Sequence, residues 1–177
     1  EWLQPAPISL TKTGTVAKRQ PKSGVAGYAL DPRKSQIRLL QCFAGGDLIV
    51  VFDMSAVVWP TVEPLLHHTP ALAAHNAVFD VKFLLADPEI EPTARVYDTM
   101  TAMRLIDGSR EGLLKASSKL LDLDLPKGLG ASDWHRETLT SDQIDYAAID
   151  VLVTFRLWQE QRDQLDEIDE LAQATAD

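Results

Sequence analysis

The chain has 177 residues, a mass of 19.6 kDa, 45% hydrophobic residues and a net charge of −9. That size suits one domain with a self-sufficient core, and that composition excludes a disordered tail or a fibre. No apolar run approaches the roughly 18–20 residues of a membrane span. The Glu1–Pro5 stretch does not read as a signal peptide, and the single cysteine, Cys42, excludes a disulfide framework and a cysteine-based zinc site. The expected setting is the reducing cytoplasm, with residues 1–177 forming a single domain.

Charge is unevenly spread. Seven basic side chains (Lys12, Lys18, Arg19, Lys22, Arg33, Lys34, Arg38) and one acid, Asp31, fall between residues 11 and 38. The local charge is therefore +6, leaving −15 for the rest. A basic segment on an acidic body can hold phosphates while the body keeps the chain dispersed; the alternative is a solvated loop.

In chain order, Ile8-Ser9-Leu10 reads as the start of a strand, and Gly14–Leu30 as a glycine- and lysine-rich loop. Ile37–Phe43 and Leu48–Phe52 follow as strands joined by a turn at Ala44–Asp47, close enough in sequence for an antiparallel meander. A short helix is predicted over Thr61–His67 behind Pro60. Then come a strand near Ala71–Ala74, a helix over Asn76–Ala86 and a strand at Arg95–Tyr97. Helices are predicted over Thr99–Ile106, Leu113–Leu121 and Ser141 to about Asp166, and the last carries a capping box in Thr140 and Gln143. The tail beyond residue 160 is acidic.

Two patterns carry chemistry. His75-Asn76-Ala77-Val78-Phe79-Asp80 opens a helix directly behind a small-residue strand, with Asn76 and Asp80 four apart on one face. That end of a sheet is where α/β folds place their sites. Tyr146-Ala147-Ala148-Ile149-Asp150 repeats the spacing on the last helix, a phenol one turn before a carboxylate. Two inward aspartates on different helices suit a hard cation such as Mg²⁺ or Mn²⁺. Other candidates have plainer readings. His67-His68 and His75 read as a surface pair plus one packed histidine, and Trp158 as core. Trp59 is a possible base-stacking residue, Trp134 a substrate-side or helix-anchoring one, and Asp98 a helix cap.

Taken together and in order, these stretches resemble the DEDDy-type 3′–5′ exonucleases of the DnaQ-like, ribonuclease H-like superfamily. That group includes ribonuclease D, the Werner-type exonuclease and the proofreading domain of bacterial DNA polymerase I. Leu30-Asp31-Pro32-Arg33, Ile37–Gln41, His75–Asp80, Tyr97–Met100, Leu125-Pro126-Lys127, Ser132-Asp133-Trp134 and Leu139–Asp150 carry the likeness, which spans about residues 7–160. It implies an α/β fold, a three-layer α/β/α sandwich with a mixed central sheet. It also implies 3′–5′ phosphodiester hydrolysis by two metal ions on four carboxylates, with a tyrosine orienting the attacking water. By this resemblance Asp80 and Asp150 are metal ligands, Tyr146 positions water, and Asn76, Phe79, Lys127 and Trp134 meet the nucleic acid.

The first motif departs. Asp-x-Glu is expected at the end of the first strand, where the best register places Thr11 and Thr13 and a shifted one Lys22 and Gly24. Neither register supplies acid, because no Asp or Glu occurs between Glu1 and Asp31. Asp80 and Asp150 then bring −2 against the +4 of two divalent ions, and a hydroxyl is a poor ligand for Mg²⁺. Three readings follow. The first is an exonuclease on DNA or RNA 3′ ends, with impaired or lost catalysis and at most weakly bound Mg²⁺ or Mn²⁺. The second is a silent module binding single-stranded ends, and the third a docking surface for a polymerase or helicase.

Overall fold

The computed structural model describes residues 8–17, 31–86, 95–126 and 128–174, with the side chains of 8–17, 131 and 169–174 outside that description. Among the described residues, five strands form one sheet in the order β3-β2-β1-β4-β5. They are β1 (Ile8–Ala17), β2 (Ser35–Phe43), β3 (Ile49–Asp53), β4 (Ala71–Ala74) and β5 (Arg95–Asp98). β1, β2 and β3 pair antiparallel as the expected meander, while β4 and β5 run parallel to β1, so the sheet is mixed. Between them come α1 (Trp59–His67), α2 (Ala77–Leu84), α3 (Thr99–Asp107), α4 (Leu113–Leu121) and α5 (Ser141–Ala174).

Strand alternation sends the two faces of the sheet to different helices. On one face Leu40, Cys42 and Leu72 pack with Val62 and Leu66 of α1 and with Phe83 and Leu84 of α2. On the other, Phe43 and Ala73 meet Val151, Phe155 and Trp158 of α5. Met103 of α3 and Ala116 of α4 close over the outer side of α5 against Val153 and Leu157. The result is a three-layer α/β/α sandwich around the mixed sheet. Trp158 is core as expected, Trp59 is partly buried against the α1 cluster, and burial pushes the Cys42 thiol up to about 12.

Two boundaries differ from expectation by more than two residues. β1 runs on through Gly14 to Ala17 instead of breaking into a loop there, because β2 offers a full partner from Ser9↔Phe43 to Ala17↔Ser35. The run Thr11, Thr13, Thr15, Val16 is β-branched, and cross-strand pairing outweighs one glycine. α5 extends eight residues past Asp166, since the acidic end contains good helix formers and no Gly or Pro. The capping box does form at its start. Gln143 N donates to Thr140 Oγ1 at 3.3 Å and Thr140 N donates to Gln143 Oε1 at 3.0 Å.

Candidate active site

The carboxyl ends of β4 and β5 lie side by side, with Ala74 and Asp98 as register partners. At Asn76 the chain turns left-handed (φ 60, ψ 50) to enter α2, a conformation that Asn tolerates better than most residues. Its amide donates to Asp98 Oδ1 at 2.9 Å, and Asp98 also caps α3 by accepting from Met100 N at 3.0 Å. His75 is half-buried and bonded on both nitrogens. Nε2 faces Glu111 O at 3.0 Å, an atom that only accepts, so Nε2 carries the proton and Nδ1 accepts from the Thr99 hydroxyl at 2.8 Å. Burial lowers its pKa in agreement with that neutral form. It is the packed histidine foreseen, while His67 and His68 are exposed and His67 pairs with Glu63 at 3.0 Å.

Asp80 sits one turn into α2 and is only 7% exposed. Phe79 lies about a quarter-turn round the helix, half-buried toward the α1 cluster. Its ring meets Phe83 edge-on at 5.5 Å, and the Lys82 ammonium stands 4.5 Å above its centre. Asn76 is half-buried at the helix start.

On α5 the i, i+4 spacing brings Tyr146 onto Asp150, phenol to carboxylate. Burial pushes the Asp150 carboxyl up to about 7 against the opposing pull of the Tyr146 hydrogen bond. Burial, then the charge of Asp150 and the bond to it, hold the Tyr146 phenol at about 12. The pair thus places a neutral hydroxyl beside a carboxyl that gains or loses its proton near pH 7.

The segment before α5 walls this pair. Trp134 is 5% exposed, packed with Leu39 and Ala147, its ring 6.4 Å from that of Tyr146. This packing suits the helix-anchoring one of the two roles read for it from sequence. Its indole N–H reaches Gly130 O at 3.4 Å, and a Cβ on Gly130 would stand only 3.1 Å from the Tyr146 hydroxyl oxygen. Gln143 uses its amide twice more, donating to Ser132 Oγ at 2.9 Å and Asp133 O at 3.1 Å. Arg38, buried in β2, pairs with Asp53 at 2.9 Å and reaches Glu137 O at 3.3 Å. Sequence reasoning missed Gly130, Arg38 and the second bond of Asp98. A glycine after Pro-Lys-Gly-Leu and an arginine in an apolar strand were the available signals.

The remaining candidates divide. Thr11 and Thr13 lie inside β1 and not at its end, across from Gln41 and Leu39. Lys127, Lys22 and Gly24 fall outside the described residues, as do Lys18 and Arg19 of the basic segment. Asp31 is occupied by a local turn, accepting from Arg33 N at 3.0 Å and pairing with Lys34 at 3.4 Å. Asp53 is taken by Arg38. Leu129–Ala131 forms a short 3₁₀ turn. Among the described residues no three His, Cys, Asp or Glu side chains gather as a metal-ligand set. Asp80 and Asp150 therefore do not fit a two-ion site by themselves. Nor is any described helix long and apolar enough to cross a membrane.

Among the described residues a mixed five-stranded sheet lies between helical layers, the fold of ribonuclease H-like exonuclease domains. Residues 27–166 match the 3′–5′ exonuclease family, and the chain belongs to that family. It is 37% identical over 136 residues to DNA polymerase I of Aquifex aeolicus (strain VF5), covering 76% of this chain and 23% of that protein. The chain thus spans about a quarter of the length of that relative. Among solved structures it is similar to Brucella melitensis NrnC (TM-score 0.76, 25% identity, 98% of this chain and 80% of that one). Escherichia coli RNase D, described as an exoribonuclease involved in structured RNA processing, shares the fold (TM-score 0.68, 21% identity, 93% and 43%). The family match begins after β1, the strand that carries Thr11 and Thr13.

Proposed function

We propose that residues 1–177 form a single exonuclease-family domain that binds 3′ ends of single-stranded DNA or RNA, with phosphodiester hydrolysis lost or strongly reduced. The carrying observation is an imbalance in the carboxylate set that the family's chemistry requires. The Tyr146–Asp150 pair is built and walled, and Asp80 is buried on α2, yet no acid occurs between Glu1 and Asp31 to complete the set. Brucella melitensis NrnC has been solved with bound Mg²⁺ and bound to pGG, which supports an oligonucleotide as the ligand here. In this reading Asp80 and Asp150 hold at most one Mg²⁺ or Mn²⁺ weakly, and Asn76 and Lys127 lie on the nucleic-acid side. Phe79 lends part of its ring to that side.

The loss is large on physical grounds. Each 1.4 kcal/mol of missing transition-state stabilisation is about tenfold in rate, and two absent anionic ligands remove several such increments. The test is incubation of 5′-labelled single-stranded DNA and RNA with excess protein in Mg²⁺ and in Mn²⁺, beside Asp80→Ala and Asp150→Ala. The expected result is salt-sensitive binding with intact or slowly shortened substrate. Rapid 3′ shortening abolished by both substitutions would overturn the reduced-activity reading. Absence of both binding and cleavage would leave a protein-docking module, for instance on a polymerase or helicase.

A further inference from the structure

The junction between β4–α2 and β5–α3 is held by a carboxylate that the nuclease reading leaves unused. An ordinary cap would need only the first turn of its own helix, and Asp98 does serve α3 in that way. Oδ1 accepts from Met100 N at 3.0 Å and Oδ2 from Thr101 Oγ1 at 3.1 Å. Yet Oδ1 also accepts from Asn76 N at 2.9 Å, 22 residues away in the chain, across the pair of parallel strands. Asn76 is one of two non-glycine residues with positive φ among those described, and its own side chain makes no cap bond to α2. The left-handed turn that starts α2 is thus held from the neighbouring strand and not by the helix it begins. The His75–Thr99 bond runs beside it at 2.8 Å and ties the same two junctions together. Asp80 follows Asn76 by one helical turn, so an error in the angle at which α2 starts is carried straight to that carboxylate.

We infer that Asp98 is a positioning residue, whose carboxylate fixes the left-handed amide of Asn76 and thereby sets the start of α2 and the placement of Asp80. The link to function rests on Asp80 belonging to the site, while the geometric link does not. A carboxylate serves here because a single oxygen can take two amide donors from different helices, which a serine or threonine cap hydroxyl reaches less readily.

The test is amide hydrogen exchange and carboxyl ¹³C spectroscopy on the labelled full chain. Asp98→Ala is expected to lower the protection of the Asn76 amide by at least about tenfold, the loss of one charge-assisted hydrogen bond. It should also shift the Asp80 carboxyl resonance, while Ala116, whose amide bonds to Gly112 O within the α4 start, keeps its protection. Asp98→Asn retains an acceptor oxygen and should restore both signals to near wild type. If Asp98→Ala changes Met100 but leaves Asn76 and Asp80 unmoved, Asp98 is only a cap and the inference fails. It fails equally if Asp98→Asn does not rescue. Should Asp98→Ala not fold, the coupling across the hydrogen bond from Asn76 ¹⁵N to Asp98 ¹³Cγ in the wild type decides, its presence supporting the inference and its absence overturning it. Where the chain shortens an oligonucleotide, Asp98→Ala should lower kcat at least about tenfold with KM little changed; an unchanged kcat overturns the link to Asp80. A chain that hydrolyses nothing agrees with the lost-activity reading, and the spectroscopic outcomes then decide the inference alone.

Discussion

Replacing Asp150 by asparagine removes the one carboxyl that the α5 surroundings hold near neutrality. Burial raises its pKa from 3.8 to about 7, and the Tyr146 hydroxyl opposes that rise. An acid whose folded pKa lies above its unfolded value costs nothing while it is protonated in both states. The cost grows as pH climbs from about 4 through about 7 and is constant beyond, because the unfolded chain ionises first. About three pKa units at about 1.4 kcal/mol each set a ceiling of roughly 4 kcal/mol, and residual solvent contact brings the expected value to about 2–3 kcal/mol. Asparagine keeps an acceptor for the Tyr146 hydroxyl and never ionises. Urea unfolding followed by tryptophan fluorescence, with EDTA present, measures both proteins near pH 5 and near pH 8.5. The difference between variant and wild type cancels every other titrating group. Part of the cost is already present at pH 5, so Asp150→Asn should gain about 1–2 kcal/mol on wild type between the two pH values. Parallel curves, within about 0.5 kcal/mol, would show that the carboxyl ionises without penalty and would refute the buried-acid argument.

Other outcomes follow from the same contacts. Gly130→Ala should destabilise by about 1 kcal/mol against Tyr146, since its Cβ would press on the hydroxyl at 3.1 Å, but become neutral or stabilising in Tyr146→Phe. A double-mutant cycle by thermal melting checks this, and additivity within about 0.3 kcal/mol sinks it. Trp134→Ala, which empties a site packed against Leu39 and Ala147, should cost about 3–5 kcal/mol, and Trp134→Phe clearly less, both read by urea unfolding. At the buried ion pair, Asp53→Ala should cost more than Arg38→Met, about 1–3 kcal/mol against near neutrality. The reason is that the first strands a guanidinium that is nine-tenths buried, while Asp53 itself stays 38% exposed. Equal losses in the two variants would show that the charge is not desolvated.

The elements with strong local signals were legible from the chain alone. Leu113–Leu121 was read to the residue, the Thr140–Gln143 box forms as its spacing requires, and Asp98 caps α3. The Tyr146–Asp150 contact was equally legible, because i, i+4 on a helix is a local geometry that needs no tertiary partner. The missing acids before Asp31 are a property of the sequence that no fold can alter. What the sequence could not decide were the features settled by elements distant in the chain. β1 passes through Gly14 because β2 pairs with it along its length, and a glycine-rich stretch carries no record of that partner. Trp134 is buried because α5 and β2 close over it, and neither neighbour is adjacent to it in the chain. Gly130, Arg38 and the second bond of Asp98 matter only through residues 15 to 99 positions away, such as Tyr146, Asp53, Glu137 and Asn76. The ionisation of Asp150 belongs to the same class. Its spacing from Tyr146 is written in the chain, but the burial that lifts its carboxyl to about 7 comes from the packing around α5, and only the assembled layers supply that.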